Sequence, residues 1–164
     1  MSSVSKVISQ AKKQVEYHSI YLWSAQGEKV RNLSIKKILK MEESNSRNAK
    51  RVLNFIGSIV EYITNNTRAF DCSGFICWLL CKYGILPKGY DNTANGLMKK
   101  FSVVNIAERK AGDLVFKCYD NGNAYHVGIY VGDNKVIEAK GRDYGVIVST
   151  FDTSWDECRR PEYA

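Results

Sequence analysis

With 164 residues, 45% apolar and 25% charged side chains and only two prolines, the chain has enough apolar sequence to bury a core without disulfide or metal staples, and its composition excludes a disordered protein. The formal net charge of +7 is carried entirely by residues 1–69, which hold 12 Lys/Arg and 5 Asp/Glu, whereas residues 70–164 hold 12 of each. No apolar run approaches the roughly 18 residues that a membrane-spanning helix needs.

Met1–Ile8 lacks the apolar core of a signal peptide, so the expectation is synthesis in the cytoplasm, with phage-type release or another export route. Val4, Val7, Ile8, Ala11 and Val15 recur at helical spacing and predict a first amphipathic helix over 4–17. An aromatic stretch, Tyr21-Leu22-Trp23, runs into the small residues Ser24-Ala25 and a turn at Gly27. Two further helices are predicted over 34–41 and 48–64, the second ending at Asn65-Asn66-Thr67. The nearly continuous apolar run from Ser73 to Tyr83, with Gly84 just beyond, predicts a buried helix with a glycine at its C-terminal end. From Gly112 onward the pattern changes to strands at 113–116, 127–131, 135–139 and 145–148, separated by turn residues such as Gly132-Asp133-Asn134. Helices first and an antiparallel meander second is an α+β layout, read here as one domain over 1–164 with a basic helical segment at about 28–66.

Five cysteines form no disulfide framework, and with two histidines and no CxxC pair a zinc site is not expected. Cys77 and Cys81 share one helix face and read as small buried apolar side chains. Cys72 is different. In Phe70-Asp71-Cys72-Ser73-Gly74 it opens the buried helix, where unpaired N–H groups and the helix dipole favour a thiolate and can hold an oxyanion. Asp71 is suited to cap that helix, and Gly74 to admit a substrate. The partner such a nucleophile requires is a base, and His126, opening the strand at 127–131, is the one histidine in the C-terminal half. A third group should orient the imidazole. In a hairpin turning at Gly132-Asp133-Asn134, Val131 pairs with Lys135 and Glu138 becomes the diagonal neighbour of His126 on the same face, about 7–8 Å away between backbones. A plain two-residue loop would put Glu138 on the opposite face, so the triad requires an odd loop or a bulge.

These segments resemble the motifs of the NlpC-type (NlpC/p60) cell-wall hydrolases, relatives of papain: Asp71-Cys72-Ser73-Gly74-Phe75, His126-Val127-Gly128-Ile129-Tyr130-Val131-Gly132 and Val136-Ile137-Glu138-Ala139. Tyr21-Leu22-Trp23-Ser24 resembles the aromatic motif that precedes the nucleophile in that family. The resemblance implies a papain-like fold and cleavage of amide bonds in peptidoglycan stem peptides, commonly between D-glutamate and the diamino acid, at the cell wall and without a cofactor. It also implies a substrate or oxyanion contact for Tyr21 and a pocket lined by Asp71 and Ser73. Three features depart from the family pattern. Glu138 stands where the family often has His, Ser24-Ala25 where it has glycines, and the stretch between Tyr21 and Cys72 is longer than in a minimal member. Thr93 falls either at a substrate-contacting hydroxyl of the family or at a plain helix N-cap.

Two enzymes use the same dyad and are not separated by these motifs: an amidase cutting muramic acid from L-alanine, and an acyltransferase. A different class is a non-catalytic polyanion-binding protein built on the basic N-terminal part, which leaves the Cys72, His126 and Glu138 constellation without a purpose. The partners expected are a stem peptide and an anionic wall polymer held by the basic part, with no nucleic acid and no membrane span.

Overall fold

The computed structural model describes residues 1–164. In chain order the helices are α1 (Ser3–Glu16), α2 (Ile35–Met41), α3 (Ser46–Ser58), α4 (Cys72–Lys82) and α5 (Ala94–Lys100). The strands are β1 (Ile20–Tyr21), β2 (Gln26–Lys29), β3 (Arg68–Phe70), β4 (Ser102–Val104), β5 (Leu114–Cys118), β6 (Ala124–Gly132), β7 (Lys135–Gly141), β8 (Gly145–Thr150) and β9 (Glu157–Arg160). A small sheet has the order β1-β3-β2, and a six-stranded antiparallel sheet has the order β4-β9-β5-β6-β7-β8. The α+β class expected from the sequence is therefore observed.

Side-chain chemistry places the helix ends. The side chains of Ser2, Ser34, Asn45, Asp71 and Thr93 each accept a hydrogen bond from a backbone N–H of the first turn that follows. Helix α3 stops at Ser58, short of the expected end, and a 3-10 turn at Val60–Tyr62 follows. Gly57-Ser58 followed by the β-branched Ile59-Val60 is a poor helix continuation. Gly84, at φ +76° just past α4, supplies the left-handed residue that ends that helix.

Helix α4 lies against one face of the large sheet. Phe75, Ile76, Leu79 and Leu80 are fully buried with Leu114, Phe116, Val127, Ile129, Ile137 and Ala139. Truncating any of the large ones to Ala should cost about 2–5 kcal/mol. The alternate residues Val115, Tyr130 and Val136 face the other way, under Trp155 and Cys158. A third cluster joins Ile20, Leu22 and Ala25 to Ile38, Ala49, Val52 and Ile59, so residues 28–66 share a core with the strand that carries Tyr21. No helix is long and apolar enough to cross a membrane.

Candidate active site

Cys72 is the first residue of α4, directly after β3 and the cap Asp71. Asp71 Oδ1 accepts the Gly74 N–H at 2.7 Å, and its Oδ2 accepts the Ser24 N–H at 3.0 Å. Helix start and aromatic turn are thus fastened by one carboxylate. Gly74 has a different reason from the one expected: a Cβ there would sit 2.2 Å from the Ala25 carbonyl oxygen. That oxygen accepts the Asp71 N–H at 3.0 Å, so the glycine admits the chain's own backbone rather than a substrate.

A cleft of about 380 Å³ opens over Cys72, lined among others by Tyr21, Trp23, Asp71, Ser73, Thr93 and Tyr125. Asp71 and Ser73, expected to line the pocket, and Tyr21, expected to contact the substrate or the oxyanion, are all on its wall. Thr93 both faces this cleft and caps α5, its Oγ1 accepting the Gly96 N–H at 3.0 Å.

Burial dominates the electrostatics of the thiol. Desolvation first, and then the Asp71 carboxylate, push Cys72 up to about 11, against the opposing pull of backbone groups of Val127, Ser73 and Cys72 itself. The expected helix-terminus effect is present but outweighed, so at neutral pH the thiol keeps its proton unless a base takes it. Desolvation likewise raises Tyr21 well above the usual phenol range, with the Cys72 and Asp71 charges adding to it and Arg142 opposing. Tyr21 therefore presents a protonated hydroxyl, a hydrogen-bond donor, to the cleft.

The expected base, His126, follows Tyr125 on β6. Ala124 and Tyr125 line the cleft, and Val127 approaches the Cys72 sulfur through its backbone. His126 and Cys72 form no hydrogen bond with each other here, and such bonds often tighten only around a substrate. His126 Nε2 is 2.8 Å from Glu138 Oε1, with the two side chains 13% and 3% exposed. Nε2 is thereby engaged, and Nδ1 is the nitrogen left to accept a proton. Burial acts to raise Glu138, but the hydrogen bond and charge of His126, with help from Ser149 and Lys117, hold it below the ordinary carboxylate range. Glu138 is thus an anion suited to stabilise an imidazolium.

The pairing of β6 with β7 explains how Glu138 reaches this position. Ile129 pairs with Ile137 and Tyr130 with Val136, whereas Gly132 pairs with Lys135, leaving Val131 as an extra residue. The turn proper is the two-residue Asp133-Asn134, both at positive φ. Two turn residues plus one bulge produce the register that a three-residue loop would give, and Glu138 lands on the face of His126.

Two supporting residues carry no motif signal. Trp155, in the β8–β9 loop and nearly fully buried, stacks on His126 with ring centroids 5.6 Å apart. Lys117 Nζ lies 4.7 Å from the Trp155 ring centroid. The indole keeps water from the His126–Glu138 pair, which strengthens their interaction. The other is Arg142, between β7 and β8, whose guanidinium carbon lies 5.4 Å from the Tyr21 ring centroid.

Of the remaining cysteines, Cys77 is buried and pushed up to about 12 by desolvation, as is Cys158. Cys81 is only partly buried and lies 3.3 Å from the Pro87 carbonyl oxygen.

The chain is similar to known proteins in sequence and in fold. The model of the NlpC/P60 family matches residues 59–158. The "Probable endopeptidase p60" of Listeria welshimeri is 39% identical over 92 residues, 56% of this chain and 16% of that protein. The "Bifunctional muramidase/DL-endopeptidase CwlT" of Bacillus subtilis is 34% identical over 94 residues, 56% of this chain and 27% of that protein. The matched stretch is therefore a minor part of either relative. The solved peptidoglycan hydrolase RipB from Mycobacterium tuberculosis superposes with a TM-score of 0.64 over 98% of this chain and 66% of that one, at 24% identity, which shows a shared papain-like fold.

Proposed function

The chain belongs to the NlpC/P60 family, and on that premise we propose that it is a cysteine hydrolase cleaving peptidoglycan stem peptides between D-glutamate and the diamino acid. The observation that carries this reading is the buried His126–Glu138 pair at 2.8 Å, one residue along β6 from the backbone group that approaches the Cys72 sulfur. His126 Nδ1 takes the Cys72 proton as the sulfur attacks the amide carbonyl. The oxyanion that forms is held by backbone N–H groups at the start of α4 and by the Tyr21 hydroxyl. Collapse expels the amine, which takes the proton back from the imidazolium and leaves a thioester. Water then attacks the thioester, giving its proton to His126, and the carboxylate product leaves as the thiol re-forms. Asp71 and Ser73 form the substrate-facing floor of the cleft beside Cys72.

A second open depression of about 530 Å³ adjoins the cleft at Ser24 and is lined by Ser24, Ser34, Lys36, Lys37, Lys40 and Met41. None of the three lysines is ion-paired. On this reading an anionic wall polymer binds there and the protein acts at the cell wall.

Mass spectrometry of purified peptidoglycan after digestion tests the bond assignment. The reading predicts fragments ending in D-glutamate and fragments beginning at the diamino acid. Release of whole stem peptides from muramic acid would instead make the protein an amidase, and unchanged peptidoglycan would reject both.

A further inference from the structure

Residues 28–66 reach the catalytic cleft through one buried carboxylate. Glu42 follows α2 directly, and its side chain is fully buried in a segment whose charge is otherwise mainly basic and exposed. Its Oε1 accepts Arg142 Nη2 at 2.6 Å, and its Oε2 accepts Arg142 Nε at 3.0 Å and the Trp23 N–H at 3.1 Å. This is a two-pronged charge-assisted pair with a third bond to the aromatic turn, the arrangement in which a buried ion pair is geometrically most defined. Arg142 in turn faces the Tyr21 ring at 5.4 Å, and Tyr21 lines the cleft beside Cys72.

The surrounding contacts point the same way. Ile20 and Leu22, on either side of Tyr21, are packed among Ile38, Ala49 and Val52 of the segment. Trp23 Nε1 also donates to Glu43 Oε1 at 3.3 Å. A second tie between the segment and the β7–β8 turn, Arg51 to Asp143, is 41% and 54% exposed and contributes little. At Glu42 the segment, the aromatic turn and the β7–β8 turn meet.

We propose that Glu42 and Arg142 are positioning residues through which residues 28–66 hold Tyr21 at the oxyanion position beside Cys72; this rests on the hydrolase reading above. The segment is then part of the catalytic apparatus rather than a separable appendage. Glu42 never touches the substrate. It fixes the guanidinium, and the guanidinium fixes the orientation and charge environment of the phenol.

The test is a mutant cycle on a small soluble stem peptide, with kcat and KM measured separately. Glu42→Gln and Arg142→Lys should each lower kcat on the order of 10-fold, within the range that mispositioning costs, and change KM little. In a Tyr21→Phe background neither should lower kcat further, because the group they position has lost its hydroxyl. A purely structural role for the pair predicts losses that multiply with Tyr21→Phe, and that outcome overturns the proposal, as does a kcat within twofold of wild type. Should Glu42→Gln fail to fold, Arg142→Lys, which keeps the buried charge compensated, carries the same two outcomes. Should the wild type fail to cleave the peptide, the hydrolase reading fails instead. The Tyr21 ¹³Cζ resonance of tyrosine-labelled protein, assigned with Tyr21→Phe, then decides positioning by itself: displacement in Glu42→Gln supports it and an unmoved resonance overturns it.

Discussion

His126 Nε2 and Glu138 Oε1 lie 2.8 Å apart because Val131 is an extra residue in β6, displacing the β6–β7 register by one ahead of the Asp133-Asn134 turn. On the proposed mechanism Glu138 is the charge that stabilises the imidazolium. Glu138→Gln keeps a hydrogen-bonding group but loses that charge, and should lower kcat about 10-fold or more. The linked effect on stability has a fixed sign. The Glu138 carboxyl sits below its usual 4.5 in the folded protein, so its pairing stabilises the fold above that value and is lost as pH falls through the lowered one. Thermal melts from pH 6 downward should show this acid loss in the wild type and a shallower one in Glu138→Gln. Equal slopes and full activity would make Glu138 a bystander.

Gly128 is where the site demands a missing side chain. A Cβ there would come within 2.7 Å of Val136 Cγ1, 3.1 Å of Trp155 and 3.3 Å of the Glu138 Cβ. Gly128→Ala should therefore destabilise the protein by about 1–3 kcal/mol through overpacking and push Glu138 and Trp155 away from His126. Urea denaturation and peptide hydrolysis should both register the change; an unaltered pair of values would mean that the face can relax.

The cysteines should separate by pH under iodoacetamide. Cys72 lines the cleft, whereas Cys77 and Cys158 are buried and pushed higher, up to about 12. Because burial pushes the Cys72 thiol up to about 11, deprotonation by pH alone gives labelling that rises steadily toward that value. His126 adds an arm at neutral pH by taking the proton. The wild type should show both arms and label first at Cys72, and His126→Ala should keep only the alkaline arm. Equal labelling of all five cysteines at pH 7 would contradict an activated Cys72.

Much of this is readable from the amino-acid sequence. Cys72 at a capped helix start, His126 on a strand and the need for an odd loop or bulge before Glu138 all follow from local chemistry and a side-chain period of two. The three-residue β3 is too short to show that period. It pairs in parallel with β1, some fifty positions earlier in the chain, so only the folded chain reveals the sheet that carries Tyr21. Strands β4 and β9, three and four residues long, show no period for the same reason. Trp155 sits in a loop with no periodicity, and its place over His126 is set by packing alone. Glu42 is locally one more acidic residue near a helix end; its partner Arg142 lies 100 positions away. Gly74 is legible as a close approach, but nothing local identifies the Ala25 carbonyl as what approaches.

The lysines of α2 give a separate prediction. Reversing Lys36, Lys37 and Lys40 to Glu should weaken binding to intact walls far more than it slows cleavage of a soluble stem peptide. The wild-type binding should fall with added salt, since the screening length is about 8 Å at physiological ionic strength. Arg51 is omitted from this set because Asp143 already holds it. If wall binding and peptide cleavage fall together, these residues wall the cleft instead of docking a polymer.

The claim that Cys72 and His126 act in one mechanism is tested most directly by the rate of cleavage of a defined soluble stem peptide. Wild type, Cys72→Ala, His126→Ala and the double variant are to be compared at equal folded concentration. The account predicts that each single change abolishes cleavage at the D-glutamyl bond and that the double variant is no worse than either. Retained cleavage by Cys72→Ala would contradict it.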